Sequence, residues 1–107
     1  MMRKAGLVAP AQEALARVRD QAVVALSGFN LATTPEYLIH EIYRLYRRTG
    51  HPKGLFLIGD SLPAIPGRGL DAVAKGLYDG EDVEFLRGIS VPFLGFSPYL
   101  QKMAVLP

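Results

Sequence analysis

The residues best placed to do chemistry are Gly28, Phe29, Asn30, Thr33 and Thr34, within Ser27-Gly28-Phe29-Asn30-Leu31-Ala32-Thr33-Thr34-Pro35. None of them is an acid, a base or an activated nucleophile. What they offer is backbone. Glycine lets the main chain come close to a ligand, and asparagine tolerates the left-handed conformation. Thr34 before Pro35 reads as an N-cap and first helical residue, because proline's missing N–H is not needed there. N–H groups at such a turn, beside the positive end of a helix dipole, suit an anion or a developing oxyanion. A second group follows the later apolar runs and forms a possible substrate loop: Asp60, then Gly95, Phe96 and Ser97 ahead of Pro98. There the same device recurs, with a glycine, an aromatic, a hydroxyl and a proline opening a helix.

Side-chain chemistry is thin by comparison. Ser27, Ser61, Ser90 and Ser97 are available, yet no Gly-x-Ser-x-Gly elbow surrounds any of them. His40 falls among Glu36, Glu41 and Arg44 of a helix and reads as solvated. His51 precedes Pro52 and reads as a turn cap. Glu36 lies in a first helical turn, where a carboxylate complements the dipole. There is no cysteine, which excludes a disulfide framework, a thiolate nucleophile and a zinc knuckle. With two histidines far apart, no metal site is expected. The glycine-rich loop from Gly59 to Gly69 has neither Gly-x-x-x-x-Gly-Lys nor Gly-x-Gly-x-x-Gly, so neither nucleotide fingerprint applies. No catalytic residue is assigned.

These residues need a scaffold that brings strand ends together. Ala22 to Leu26 is a run of five apolar residues, as in a parallel strand covered on both faces. Pro35 to about Arg48 predicts the longest helix, with Leu38, Ile42, Leu45 and Tyr46 on one face, Ile39 and Tyr43 beside them, and Gly50 as its C-cap. Leu55–Ile58 predicts a second strand, Gly59 to Gly69 an irregular loop, and Leu70 to Leu77 a helix. Val83 to Leu86 is a possible short strand. Ile89 to Leu94 is a third apolar run, weakened by Pro92, and a helix follows from Pro98 to about Met103. Ahead of all this, Lys4 to Val8 reads as a lead-in strand and Ala11 to Val18 as a helix. The alternation predicts an open parallel α/β sheet with helices on both faces and right-handed crossovers.

Length and charge set the outer bounds. At 107 residues the chain is a single α/β domain, and half its residues are hydrophobic, which excludes a disordered chain. Net charge is +2, with Arg44, Arg47 and Arg48 at a helix end rather than along a stripe, so no nucleic-acid partner is expected. No apolar run approaches bilayer length and no leader pattern follows Met1-Met2-Arg3-Lys4, which predicts no membrane contact and a cytoplasmic address by default. Met103-Ala104-Val105-Leu106-Pro107 reads as the chain entering another strand. Three parallel strands have two bare edges, so a piece of something larger, or a subunit completed by a partner or by homo-oligomerisation, is expected.

The two joints together resemble a family. Ser27-Gly28-Phe29 through Thr34-Pro35-Glu36-Tyr37-Leu38-Ile39 is similar to the Gly-Gly-Phe-Gly joint of family I coenzyme A transferases. Arg68-Gly69-Leu70 and Gly95-Phe96-Ser97-Pro98-Tyr99-Leu100-Gln101-Lys102-Met103-Ala104 continue the likeness to the acetate and propionate enzymes. The resemblance implies the N-terminal part of the first α/β domain of such a transferase. Its implied function is moving CoA between an acyl-CoA and a short-chain carboxylate, with acyl-CoA a substrate and no separate cofactor. It also implies oxyanion-hole backbone at Gly28-Phe29-Asn30. The nucleophilic glutamate of the family lies in a Glu-Asn/Ser-Gly motif, and here Glu13, Glu36, Glu41, Glu81 and Glu84 precede Ala14, Tyr37, Ile42, Asp82 and Phe85. This chain alone is therefore expected to be inactive. Ser27 and Thr33 stand where the family has glycine, and a β-branched residue resists positive φ. The alternative reading is a small-anion-sensing or partner-binding domain on the same scaffold without catalysis, or a silent structural half.

Overall fold

A computed structural model describes residues 8–104. Helix α1 (Ala11–Leu15) leads into strand β1 (Val23–Leu26), helix α2 (Glu36–Thr49) and strand β2 (Leu55–Gly59). A small hairpin, β3 (Ala64–Ile65) and β4 (Arg68–Gly69), precedes helix α3 (Leu70–Tyr78), strand β5 (Leu86–Ser90) and helix α4 (Pro98–Ala104). The main sheet is parallel, in the order β1-β2-β5.

The order explains the layering. From β1 to β2 to β5 the sheet grows in one direction, and right-handed crossovers that advance one way all land on one face. On that face Val24 lies level with Leu57 and Leu57 with Ile89, while Leu55 pairs with Leu86. Ile39 and Tyr43 of α2, Leu70, Val73 and Ala74 of α3, Phe85 and Leu100 of α4 close the core over Leu55 and Leu57. The other face is open: Val23 is 60% exposed and Ile58 43%, and Ala25 and Ser90 are exposed with them. The expectation of a β1 covered on both faces is thus corrected within this chain. Its residues alternate between half-buried and exposed, because no crossover among the described residues returns in the opposite direction. Helices on the second face would require that return.

Several boundaries move for local reasons. The third strand runs over Leu86–Ser90 rather than Ile89 to Leu94 or Val83 to Leu86, and it stops before Pro92, which has no N–H for a ladder. A bulge at Arg87 shifts its register against β2. Gly88 admits the Phe56 ring, since a Cβ there would lie 2.6 Å from it. The loop from Gly59 to Gly69 is not wholly irregular. Pro66-Gly67, with Gly67 at φ 81°, turns the β3–β4 hairpin, as Pro-Gly does at the centre of a type II turn. Helix α1 is five residues long and ends well short of Val18. Between α1, α2 and β1 an apolar cavity of about 230 Å³ remains, lined by Leu15, Val18, Val24, Leu26, Leu38 and Ile42 among others. The lead-in strand expected at Lys4 to Val8 falls outside the described residues except for Val8, which is exposed. So does the end of the stretch Met103 to Pro107, while Met103 and Ala104 finish α4.

Adjacent residues on opposite faces give a direct check. Leu57→Ala, which removes a nearly buried side chain from the covered face, should cost about 2–5 kcal/mol. Ile58→Ala, on the open face, should cost less than about 1 kcal/mol. Chemical denaturation of both variants measures the difference, and equal losses would mean that the second face is covered.

Candidate functional site

Parallel strands deliver their carboxyl ends to one edge, and there the two joints meet. Ser27 and Gly28 follow β1, Asp60 follows β2, and Phe93 to Ser97 follow β5. Phe29 and Phe96 stand edge to face with ring centroids 5.2 Å apart, and Phe93 meets Phe96 in the same way at 5.0 Å. Gly95 makes room for this, because a Cβ there would fall 2.1 Å from the Phe93 ring. Phe29 is 60% exposed, so it is a wall of the site and not a core anchor.

The first joint is a tight, self-bonded turn. Phe29 N–H donates to the Ala32 carbonyl at 3.1 Å, and Ala32 N–H returns to Phe29 at 2.9 Å. Asn30 N–H donates to Leu62 O at 3.0 Å, which ties the turn to the loop after β2. The Asn30 side chain accepts from Leu31 N–H at 2.7 Å, and its φ of 61° uses the left-handed tolerance of asparagine. The N–H groups of Phe29 and Asn30 are therefore consumed inside the protein. Those of Ser27 and Gly28 have no acceptor among the described residues. Gly28 as a residue is buried.

Thr34 does not cap α2 as expected. Helix α2 begins at Glu36 with Pro35 at its N-cap position and no side-chain cap. The Thr34 hydroxyl instead donates to Asn30 O at 3.0 Å and lies 2.1 Å from where a Gly28 Cβ would stand. At φ 128° Gly28 is also in a region that side chains avoid. Any side chain there breaks the joint itself, beyond obstructing a ligand. Thr33 takes φ 56°, which is strained for a β-branched residue, and its carbonyl accepts from the Ser27 hydroxyl at 3.2 Å.

The second joint is framework as much as surface. Ser97, expected on a substrate loop, is fully buried. Its hydroxyl donates to Asp71 at 2.5 Å and accepts from Leu100 N–H at 3.2 Å, capping α4. Phe96 is half-buried and Gly95 exposed, while Asp60 is exposed beyond β2. Among the described residues no group of three His, Cys, Asp or Glu stands close enough to hold a metal ion, and no helix is long and apolar enough to cross a membrane.

The model of the coenzyme A transferase family matches residues 8–83, from before α1 to beyond α3. The chain belongs to the coenzyme A transferase family. Its fold is also that of an acyl-CoA transferase from E. coli O157:H7, whose crystal structure is of a thioester complex with CoA. The TM-score is 0.67 at 23% identity, covering 88% of this chain and 17% of that one. No curated protein matches.

Two polar contacts that no sequence motif announces brace the two joints. Glu36 accepts both arms of Arg68, at 3.0 Å from Nε and 2.8 Å from a terminal nitrogen, joining the start of α2 to the β3–β4 turn. Hydrogen bonding to that guanidinium holds the Glu36 carboxyl below the usual range. Asp71 is buried beneath the second joint. The Gly-Arg-Gly-Leu-Asp run carries no signal that separates a bracing carboxylate from a solvated one. His51 pairs with Asp20 at 2.9 Å on the surface, and hydrogen bonding from Lys53 N–H, with His51, keeps the Asp20 carboxyl below its ordinary value.

Two measurements follow from this geometry. Thr33→Gly should relieve the positive-φ strain and raise stability by about 0.5–1 kcal/mol after the added freedom of the unfolded chain is subtracted. A loss in urea denaturation would show that the Thr33 hydroxyl matters more than the backbone. Because the folded Glu36 pKa is depressed, its contribution is complete above the unfolded value of ~4.3 and disappears as pH falls through the lower folded value. Thermal melts in acid should therefore decline more steeply for the natural chain than for Glu36→Gln, and parallel curves would contradict the pairing.

Proposed function

We propose that this chain contributes the first α/β portion of an enzyme moving CoA between an acyl-CoA and a short-chain carboxylate. Its share of the work is backbone. The Gly28 N–H, without an acceptor among the described residues, donates to the thioester oxygen as a nucleophile adds to its carbonyl carbon and charge develops there. Family membership and the orphan N–H at a strand's carboxyl end support this reading. Phe29 and Phe96 form an apolar wall beside that position. The nucleophile comes from outside this chain, because none of its glutamates opens a Glu-Asn/Ser-Gly motif. A remaining region of the enzyme, or a partner subunit, would supply it.

Titrating the isotope-labelled chain with acetyl-CoA should shift the Gly28 amide resonance saturably. Mass spectrometry of the same sample should find no glutamyl–CoA adduct. A saturable response elsewhere with Gly28 unmoved would reject the oxyanion assignment. An adduct on this chain would reject the division of labour.

A further inference from the structure

The Asp71 carboxylate is 1% exposed and belongs to neither joint, yet its two oxygens hold different parts of the site. Oδ1 accepts from the Ser97 hydroxyl at 2.5 Å and from Tyr99 N–H at 3.2 Å. Oδ2 accepts from Gly67 N–H at 2.7 Å, in the turn of the β3–β4 hairpin. From there the contacts run in a closed ring. Leu70 N–H donates to Pro63 O at 3.1 Å, Asn30 N–H donates to Leu62 O at 3.0 Å, and Phe29 leans on Phe96, next in sequence to Ser97. Cutting the ring at Asp71 frees the second joint to swing away from the first, because a carboxylate accepting three charge-assisted hydrogen bonds in a dry site is its strongest link.

We propose that Asp71 is a positioning residue that sets the second joint against the first, so that Phe96 stands edge-on to Phe29 beside Gly28. Its importance to acyl transfer rests on the reading of Gly28 given above; its effect on geometry does not. The division of labour between the oxygens makes the role specific. An asparagine keeps one acceptor oxygen, which serves Ser97 and Tyr99, but its NH₂ cannot accept from Gly67. An alanine keeps neither.

The test compares Asp71→Asn and Asp71→Ala in the labelled 107-residue chain. It reads the Phe29–Phe96 ring contact by nuclear Overhauser effect, amide exchange at Gly67 and Tyr99, and the Gly28 response to acetyl-CoA. Asp71→Asn should speed exchange at Gly67 by about tenfold while leaving Tyr99, the ring contact and the acetyl-CoA response near the natural chain's. Asp71→Ala should abolish the ring contact and weaken the acetyl-CoA response by about tenfold. A folded alanine variant that keeps the ring contact, or an asparagine variant with Gly67 as protected as before, overturns the proposal. If the alanine variant does not fold, the asparagine pattern alone decides. If the natural chain gives no Gly28 response while the ring contact still follows residue 71, the acyl reading fails and the positioning role stands.

Discussion

A threonine hydroxyl occupies the space in which a side chain at residue 28 would begin, and much of the site depends on that exclusion. With Thr34 lodged there and Pro63 packed at 3.0 Å from the same point, the end of β1, the start of α2 and the loop after β2 converge. Only a residue without a Cβ lets three segments approach so closely at a positive φ. The turn that follows spends the N–H groups of Phe29 and Asn30 on the carbonyls of Ala32 and Leu62.

The second constraint is the direction of winding. A sheet built outward from β1 through β2 to β5 collects its helices on one side. The core is accordingly concentrated between the covered face and α2, α3 and α4, with Leu55, Val73 and Leu62 almost wholly enclosed. The cavity near α1 marks where that enclosure thins, because α1 is short and buries no residue completely.

Much of this was legible in the sequence, for identifiable reasons. Continuous apolar runs and a long amphipathic helix ended by Gly50 located the first two strands and the crossover between them, while the third strand lies at Leu86–Ser90 and not at Ile89 to Leu94. The tension between Thr33 and the glycine of the family pattern was visible as a mismatch between residue type and required φ, and the structure holds Thr33 at 56°. What escaped detection depended on tertiary partners. Thr34 looks like a cap until its hydroxyl is found donating to Asn30 O, in the space that Gly28 leaves. Ser97 looks like a loop hydroxyl until Asp71 is found beneath it. The exposed alternation of β1 could not be read from five apolar residues in a row, because a run of that kind does not say whether both faces are covered within the same chain. Pro66-Gly67 was readable as a turn, but its two-residue strands are too short to leave a period.

The open face carries one further consequence, through Arg87. Its guanidinium lies 5.3 Å over the Phe56 ring, and the same side chain donates to Gln21 O at 3.3 Å. A cation is thereby laid over Phe56, which pairs with the exposed Val23. Two such surfaces cannot lie flat on each other without stripping water from two like charges, and that cost discourages indiscriminate self-adhesion. The face therefore discriminates by charge: a covering surface must offer an acceptor opposite Arg87 or leave it a path to solvent.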